Sequence, residues 1–116
     1  MQIQLKAAKI WLANEAVDFR KGANGLCQHV AEHYHEAIGE QLYIFYNQAR
    51  NKLKLLAYHR NGFMLVYKTL DKNKFICKHK DDGPYEMNEH QLSWLLAGLD
   101  WITMSEFSDI SYDDYY

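Results

Sequence analysis

Apolar and polar positions along the chain change period as one element gives way to the next. Lys9-Ile10-Trp11-Leu12-Ala13 is a short apolar stretch closed by polar Asn14-Glu15, which predicts a strand. The segment 18–26 carries glycines at 22 and 25, suited to a turn leading into a helix. From Leu26 the apolar residues Leu26, Val30, Tyr34 and Ile38, with Cys27 and Ala37 beside them, recur at helical spacing up to the natural stop at Gly39. That pattern predicts an amphipathic helix of about four turns.

Beyond Gly39 the chain turns to runs dense in aromatic and β-branched residues, separated by polar turns, as antiparallel strands require. Leu42 to Tyr46 is the first run. In Lys52-Leu53-Lys54-Leu55 the alternation is strict, placing Leu53 and Leu55 toward a core and Lys52 and Lys54 toward water or a ligand. Asn61-Gly62 signals a tight hairpin into a returning strand from Phe63 to Lys68. Lys74 to Lys78 reads as a fourth strand, ended by Asp81-Asp82-Gly83-Pro84. Asn88, with Gln91 three residues on, approximates a capping box; Leu92, Leu95, Leu96 and Leu99 follow on one helix face, and Gly98 and Asp100 end it. The segment after Trp101 shows no period and no base, and reads as an extended or disordered tail.

The expected fold is therefore α+β, an antiparallel sheet of four to five strands packed against two amphipathic helices. One domain spans 1–104, with an acidic Tyr/Asp-rich tail over 105–116. A chain of 116 residues supports one core but not two. Its 48% hydrophobic and 24% charged residues exclude wholesale disorder, collagen and coiled coil. No apolar run exceeds that of Phe63 to Tyr67, too short to cross a bilayer, and the start lacks a signal-peptide apolar core, so a cytoplasmic address and no membrane partner are expected. In that compartment Cys27 and Cys77 are expected as reduced thiols.

Charge changes the picture more than composition does. A formal net charge of -2 conceals a middle, residues 41–80, where Arg50, Lys52, Lys54, Arg60, Lys68, Lys72, Lys74, Lys78 and Lys80 face the single acid Asp71. The last twelve residues carry Glu106, Asp109, Asp113 and Asp114 and no base. A basic middle of this kind is a candidate nucleic-acid surface, with Tyr43, Tyr46, Tyr58 and Tyr67 interleaved where they could stack on bases. The plainer alternative is that the lysines are the solvated face of a sheet and the tyrosines pack inward.

Several of these motifs, taken in order, resemble the small accessory proteins (TnpB proteins, unrelated to the RNA-guided nuclease of that name) of bacterial transposable elements of the insertion-sequence 66 family. The resemblance rests on Ile10-Trp11-Leu12, Asp18-Phe19-Arg20-Lys21-Gly22 with Gly25-Leu26, Leu42 to Phe45, Lys52 to Leu56, Gly62-Phe63 with Lys68, and Gln91-Leu92 with Leu95 to Asp100. It covers about residues 9–101. The chain departs from the pattern at Asn47 to Asn51, where the family usually has an arginine-rich loop, and at Tyr58 to Asn61, where it usually has an aromatic-Asp pair. What the resemblance implies is participation in transposition beside a separate transposase and the other proteins of the element, with no chemistry of the small protein's own.

Two candidate sites follow. The first is a basic sheet surface of Arg50, Lys52, Lys54, Arg60, Lys68, Lys74 and Lys78 for DNA. The second is the family motif Asp18, Arg20, Lys21 and Gly22, where Arg20 and Lys21 ahead of a helix could hold a phosphate, or where Asp18 could simply cap the turn and pair with Arg20. A zinc site from His29, His33, His35, Cys77 and His79 lacks any Cys-x-x-Cys pair, and no nucleophile elbow, Walker loop or dinucleotide fingerprint is present. No cofactor, no metal and no catalytic residue are expected. The preferred function is a DNA-contacting accessory factor; the alternative is a protein-interaction module that docks the transposase without touching DNA.

Overall fold

The computed structural model describes residues 9–34, 41–59, 61–77 and 83–107. In chain order the elements are β1 (Lys9–Leu12), α1 (Ala23–His33), β2 (Gln41–Tyr46), β3 (Lys52–His59), β4 (Gly62–Thr69), β5 (Tyr85–Met87) and α2 (Glu89–Leu96). A further helix, α3, covers 101–107. The strands form one sheet in the order β4-β3-β2-β1-β5. Among the described residues only β1 and β2 run parallel; the α1 crossover between them makes that possible, whereas the short connections among β2, β3 and β4 enforce antiparallel pairing. The fold is α+β, as expected, with a mostly antiparallel sheet.

Both faces of the sheet are covered in its middle. Pairing puts Trp11, Tyr43, Phe45, Lys54 and Leu56 on one face. Helix α1 lies over that face, presenting buried Leu26 and Val30, with Tyr34 set edge-on against Trp11 and Tyr43 at 6.2 and 5.1 Å. The other face carries Ile10, Leu12, Leu42, Ile44 and Leu53, and the segment 75–77 shares its core with the C-terminal helices. There Trp101 is buried, donates Nε1–H to the Ile76 carbonyl at 2.7 Å and meets the ring of Tyr85 edge-on at 5.7 Å. Because both faces are buried, β2 reads as a continuous apolar run rather than as an alternation.

Local chemistry explains the ends of the elements. The Asn88 side chain accepts from Gln91 N–H and the Gln91 side chain accepts from Asn88 N–H, a complete capping box. Gly98 takes φ +75, Gly98 N–H bonds Leu95 O and Leu99 N–H bonds Trp94 O, the Schellman stop of α2. Helix α1 starts at Ala23 and ends at His33, with Tyr34 as its extended C-cap. Its expected continuation to Ile38 and the Gly39 stop lie outside the described residues.

Three expectations change. Lys74 to Cys77 is not a strand, and Lys78 lies outside the described residues. Phe75 is held instead by one backbone bond to Arg50 O, and the Phe75 and Cys77 side chains are drawn into the core under the sheet rather than to its edge. The strand that does join the sheet there is β5, antiparallel to β1. The hairpin pairs His59 with Gly62, so its connection is residues 60–61, one position before the Asn-Gly step. Residues 101–107 form a helix, whereas the segment after Trp101 is expected to be extended or disordered; Asp100 caps it, since Thr103 N–H and Oγ1–H both donate to its carboxylate, at 3.1 and 2.9 Å. The remainder of the expected tail, 108–116, lies outside the described residues.

Candidate nucleic-acid interface

Strand register decides where the basic residues go. Lys52 pairs with Thr69, and Lys68 pairs with Leu53, so Lys52 and Lys68 point to opposite faces of the sheet. Lys54 sits between them in sequence but is buried, at 1% exposure. Its ammonium donates to Phe19 O at 2.6 Å and Lys21 O at 2.8 Å, and lies over the rings of Phe19 and Tyr67 at 4.8 and 4.9 Å. The expectation that Lys54 faces water fails because its face of the sheet is roofed by the loop before α1. A lysine so placed is satisfied by carbonyl dipoles and ring faces rather than by a carboxylate. Tyr43 and Tyr46 are buried too, and only Tyr58 and Tyr67 of the interleaved tyrosines are exposed.

The cations therefore do not form a platform on a sheet face. They collect at one end of it. β2 finishes at that end, β3 begins there and β4 finishes there, so Arg50, Lys52, Lys68, Lys72 and Lys74 occupy neighbouring turns, all exposed. Backbone bonds tie these turns together: Leu70 N–H to Asn51 O at 2.8 Å and Phe75 N–H to Arg50 O at 2.7 Å. Arg50 itself adopts φ +60 in a loop whose Asn47 side chain accepts from Asn51 N–H and Lys52 N–H. Among the described residues none of these five cations forms an ion pair. Arg60, Lys78 and Lys80 lie outside the described residues.

β1, running parallel to β2, also ends here, and Val17 N–H bonds Tyr46 O, so the loop of Asp18, Arg20, Lys21 and Gly22 arrives at the same end. The two sites that were separate in sequence are thus adjacent, and Lys54 is the strut between them. Asp18 accepts from Arg20 in a bidentate pair, Nη2 to Oδ2 at 2.6 Å and Nε to Oδ1 at 3.0 Å, and also from Arg20 N–H at 2.9 Å. Those hydrogen bonds from Arg20 hold the Asp18 carboxyl down to about 2. The pair is the turn-capping alternative, and it coexists with an Arg20 side chain that is 91% exposed. Gly22 is the N-cap of α1, without a side-chain cap and with no acid in the first turn, so the positive end of the helix dipole also faces this end of the sheet.

Between the two loops, Glu15, Ala16, Tyr46, Gln48 and Arg50 line a shallow cavity of about 250 Å³. The thiol of Cys77 is buried and pushed up to about 12 by that burial. His29 and His33 stack on α1 at 4.2 Å, on the side of Phe45 and thus across the sheet from the Cys77 core, so the residues of the conjectured zinc site are not brought together. His35 and His79 lie outside the described residues. No group of three potential metal ligands occurs among the described residues.

Comparison with known proteins matches residues 8–106 to the family described as IS66 Orf2 like protein. Two proteins of Sinorhizobium fredii (strain NBRC 101917 / NGR234) are similar: uncharacterized protein y4jC, 31% identical over 83% of each chain, and uncharacterized protein y4hO, 29% identical over 80% of this chain and 82% of that one. No solved structure matches. The motif Asp18 to Gly22, the Lys-Leu strand and the capped α2 that compose and frame the cationic end all fall within the matched span, and the chain belongs to the IS66 Orf2-like family, accessory proteins of insertion-sequence 66 transposition.

Proposed function

We propose that the protein contacts DNA through the cationic end of its sheet and acts in this way beside the transposase, without cutting or joining strands itself. The observation that carries this reading is the gathering of Lys21, Arg50, Lys52, Lys68, Lys72 and Lys74 at one end, where Asp18 and Arg20 cancel and the remaining described acids are Glu15 and Asp71. Such a cluster exchanges condensed counterions for phosphates and positions DNA without reading its sequence. Exposed Tyr67, at 59%, adds a ring on which an unpaired base can stack. In this reading its part is accessory rather than catalytic and is carried out in the cytoplasm.

The test is fluorescence anisotropy with a labelled duplex across a salt series. With about four phosphates neutralised, a fourfold rise in salt weakens binding by about a hundredfold. The double variant Lys52→Glu with Lys74→Glu lowers the salt slope by about two and leaves transposase association intact. Binding that ignores salt and both substitutions removes the reading.

A second reading rests on its own observation. Trp94, Thr103, Met104 and Phe107 line an apolar hollow of about 320 Å³ on α2 and α3, where Phe107 is 71% and Leu99 45% exposed. A surface of that kind suits docking on the transposase. Phe107→Glu then abolishes co-purification with transposase while DNA retention is unchanged.

A further inference from the structure

Among the described residues β4 is the outermost strand of the sheet with no strand paired to its outer edge, and that edge is long and apolar. It runs from Gly62 to Thr69 with Phe63-Met64-Leu65-Val66-Tyr67 uninterrupted, and Phe63, Val66 and Tyr67 are 40, 44 and 59% exposed. Beside it Tyr58 is 42% exposed, its ring edge-on to Phe63 at 5.3 Å. Natural edge strands are blunted by proline, bulges, short length or repeated charge; this one has a single lysine near its end. Its backbone polarity can be read from the ladder. Leu70 N–H donates to Asn51 O in the same register that pairs Lys52 with Thr69, so even-numbered residues of β4 turn their N–H and C=O toward β3. The odd-numbered Phe63, Leu65 and Tyr67 direct theirs outward, away from the sheet.

We propose that this edge is covered by β4 of a second copy of the chain, antiparallel about a twofold axis through Leu65 and perpendicular to the sheet. Four features single out this occupant. The outward groups match: Phe63 meets Tyr67 of the second copy, Leu65 meets its own equivalent and Tyr67 meets Phe63, each an outward-facing pair able to exchange main-chain hydrogen bonds. The side chains match as well, since the same register opposes aromatic to aromatic and Met64 to Val66. Lys68, the one charge of the strand, falls opposite Gly62, so within the paired strands no like charges stand directly opposite. Finally, the cluster of Arg50, Lys52, Lys68, Lys72 and Lys74 lies at the C-terminal end of β4. Antiparallel pairing puts the two clusters at opposite ends of the joint sheet, whereas parallel pairing would superimpose them. The inference stands whether or not DNA is the ligand of that cluster.

Sedimentation equilibrium of the full chain, with amide hydrogen exchange at two concentrations, tests it. The expected result is a concentration-dependent dimer in which the amides of Phe63, Leu65 and Tyr67 become protected as dimer forms. Val66→Lys, at an exposed site, raises the dissociation constant by about tenfold with an unchanged circular dichroism spectrum. A chain that stays monomeric with those amides exchanging freely overturns the proposal. So does a dimer that leaves them unprotected, which would place the contact elsewhere, or protection that arises only when transposase is added, which would name another occupant.

Discussion

Lys54 and His29 are where single side chains govern the molecule. Lys54→Met removes the donor that satisfies the Phe19 and Lys21 carbonyls, and an orphaned buried acceptor costs roughly 1–3 kcal/mol, so urea melts should show a loss of about 2 kcal/mol. Lys52→Met, at an exposed position on the same strand, should stay within about 0.5 kcal/mol. If the two variants melt together, Lys54 is not the strut. His29 gives a pH dependence. Burial, then the neighbouring His33 and Lys21, push its pKa below the ordinary 6.5. The unfolded chain then binds the proton more tightly than the folded one, so the contribution of neutral His29 is complete above 6.5 and shrinks as pH falls through 6.5 toward the lowered folded value. Stability measured between about pH 7.5 and 5.5 should fall more for the wild-type chain than for His29→Gln.

Elements were legible in the sequence where local chemistry alone builds them. The capping box at Asn88, the stop at Gly98 and the apolar spacing of Leu26 and Val30 each depend on residues within a turn of one another. What failed depended on distant partners. Lys54 alternates with leucines as a surface lysine would, and only the loop folded over it buries it. Phe75 and Cys77 have the composition of a strand, but the core under the sheet takes up both side chains. The residues of the cationic end were nearly all named from the sequence, yet as a sheet face and a separate loop, because the parallel β1–β2 pairing that unites them is not visible in any local pattern. The missed α3 did carry a local signal, Asp100 followed by Thr103. Asp100→Ala should cost about 1 kcal/mol and reduce helical circular dichroism. Unchanged helicity would show that Trp101, buried against Tyr85, suffices to hold the helix.

At the scale of the whole molecule, a formal charge of -2 opposes the approach of DNA, while the proposed interface at one end would favour it. Screening decides between them, since the net charge acts over long distances only when the Debye length is large, about 30 Å at 0.01 M salt against about 8 Å at physiological strength. If the proposed interface holds, close contact at the cationic end survives that screening, and the balance shifts toward attraction as salt rises from very low values, before counterion competition weakens binding again. Removing residues 108–116 deletes Asp109, Asp113 and Asp114 and no base, which takes the formal charge from -2 to +1. If the proposed interface is right, the truncated chain should associate with duplex DNA several-fold faster in stopped-flow measurements near 0.01 M salt. The two chains should converge near physiological strength, where a Debye length of about 8 Å leaves little of the net charge to act at a distance. An acceleration that persists at high salt would mean instead that the acidic segment occupies the cationic end directly and competes with DNA for it.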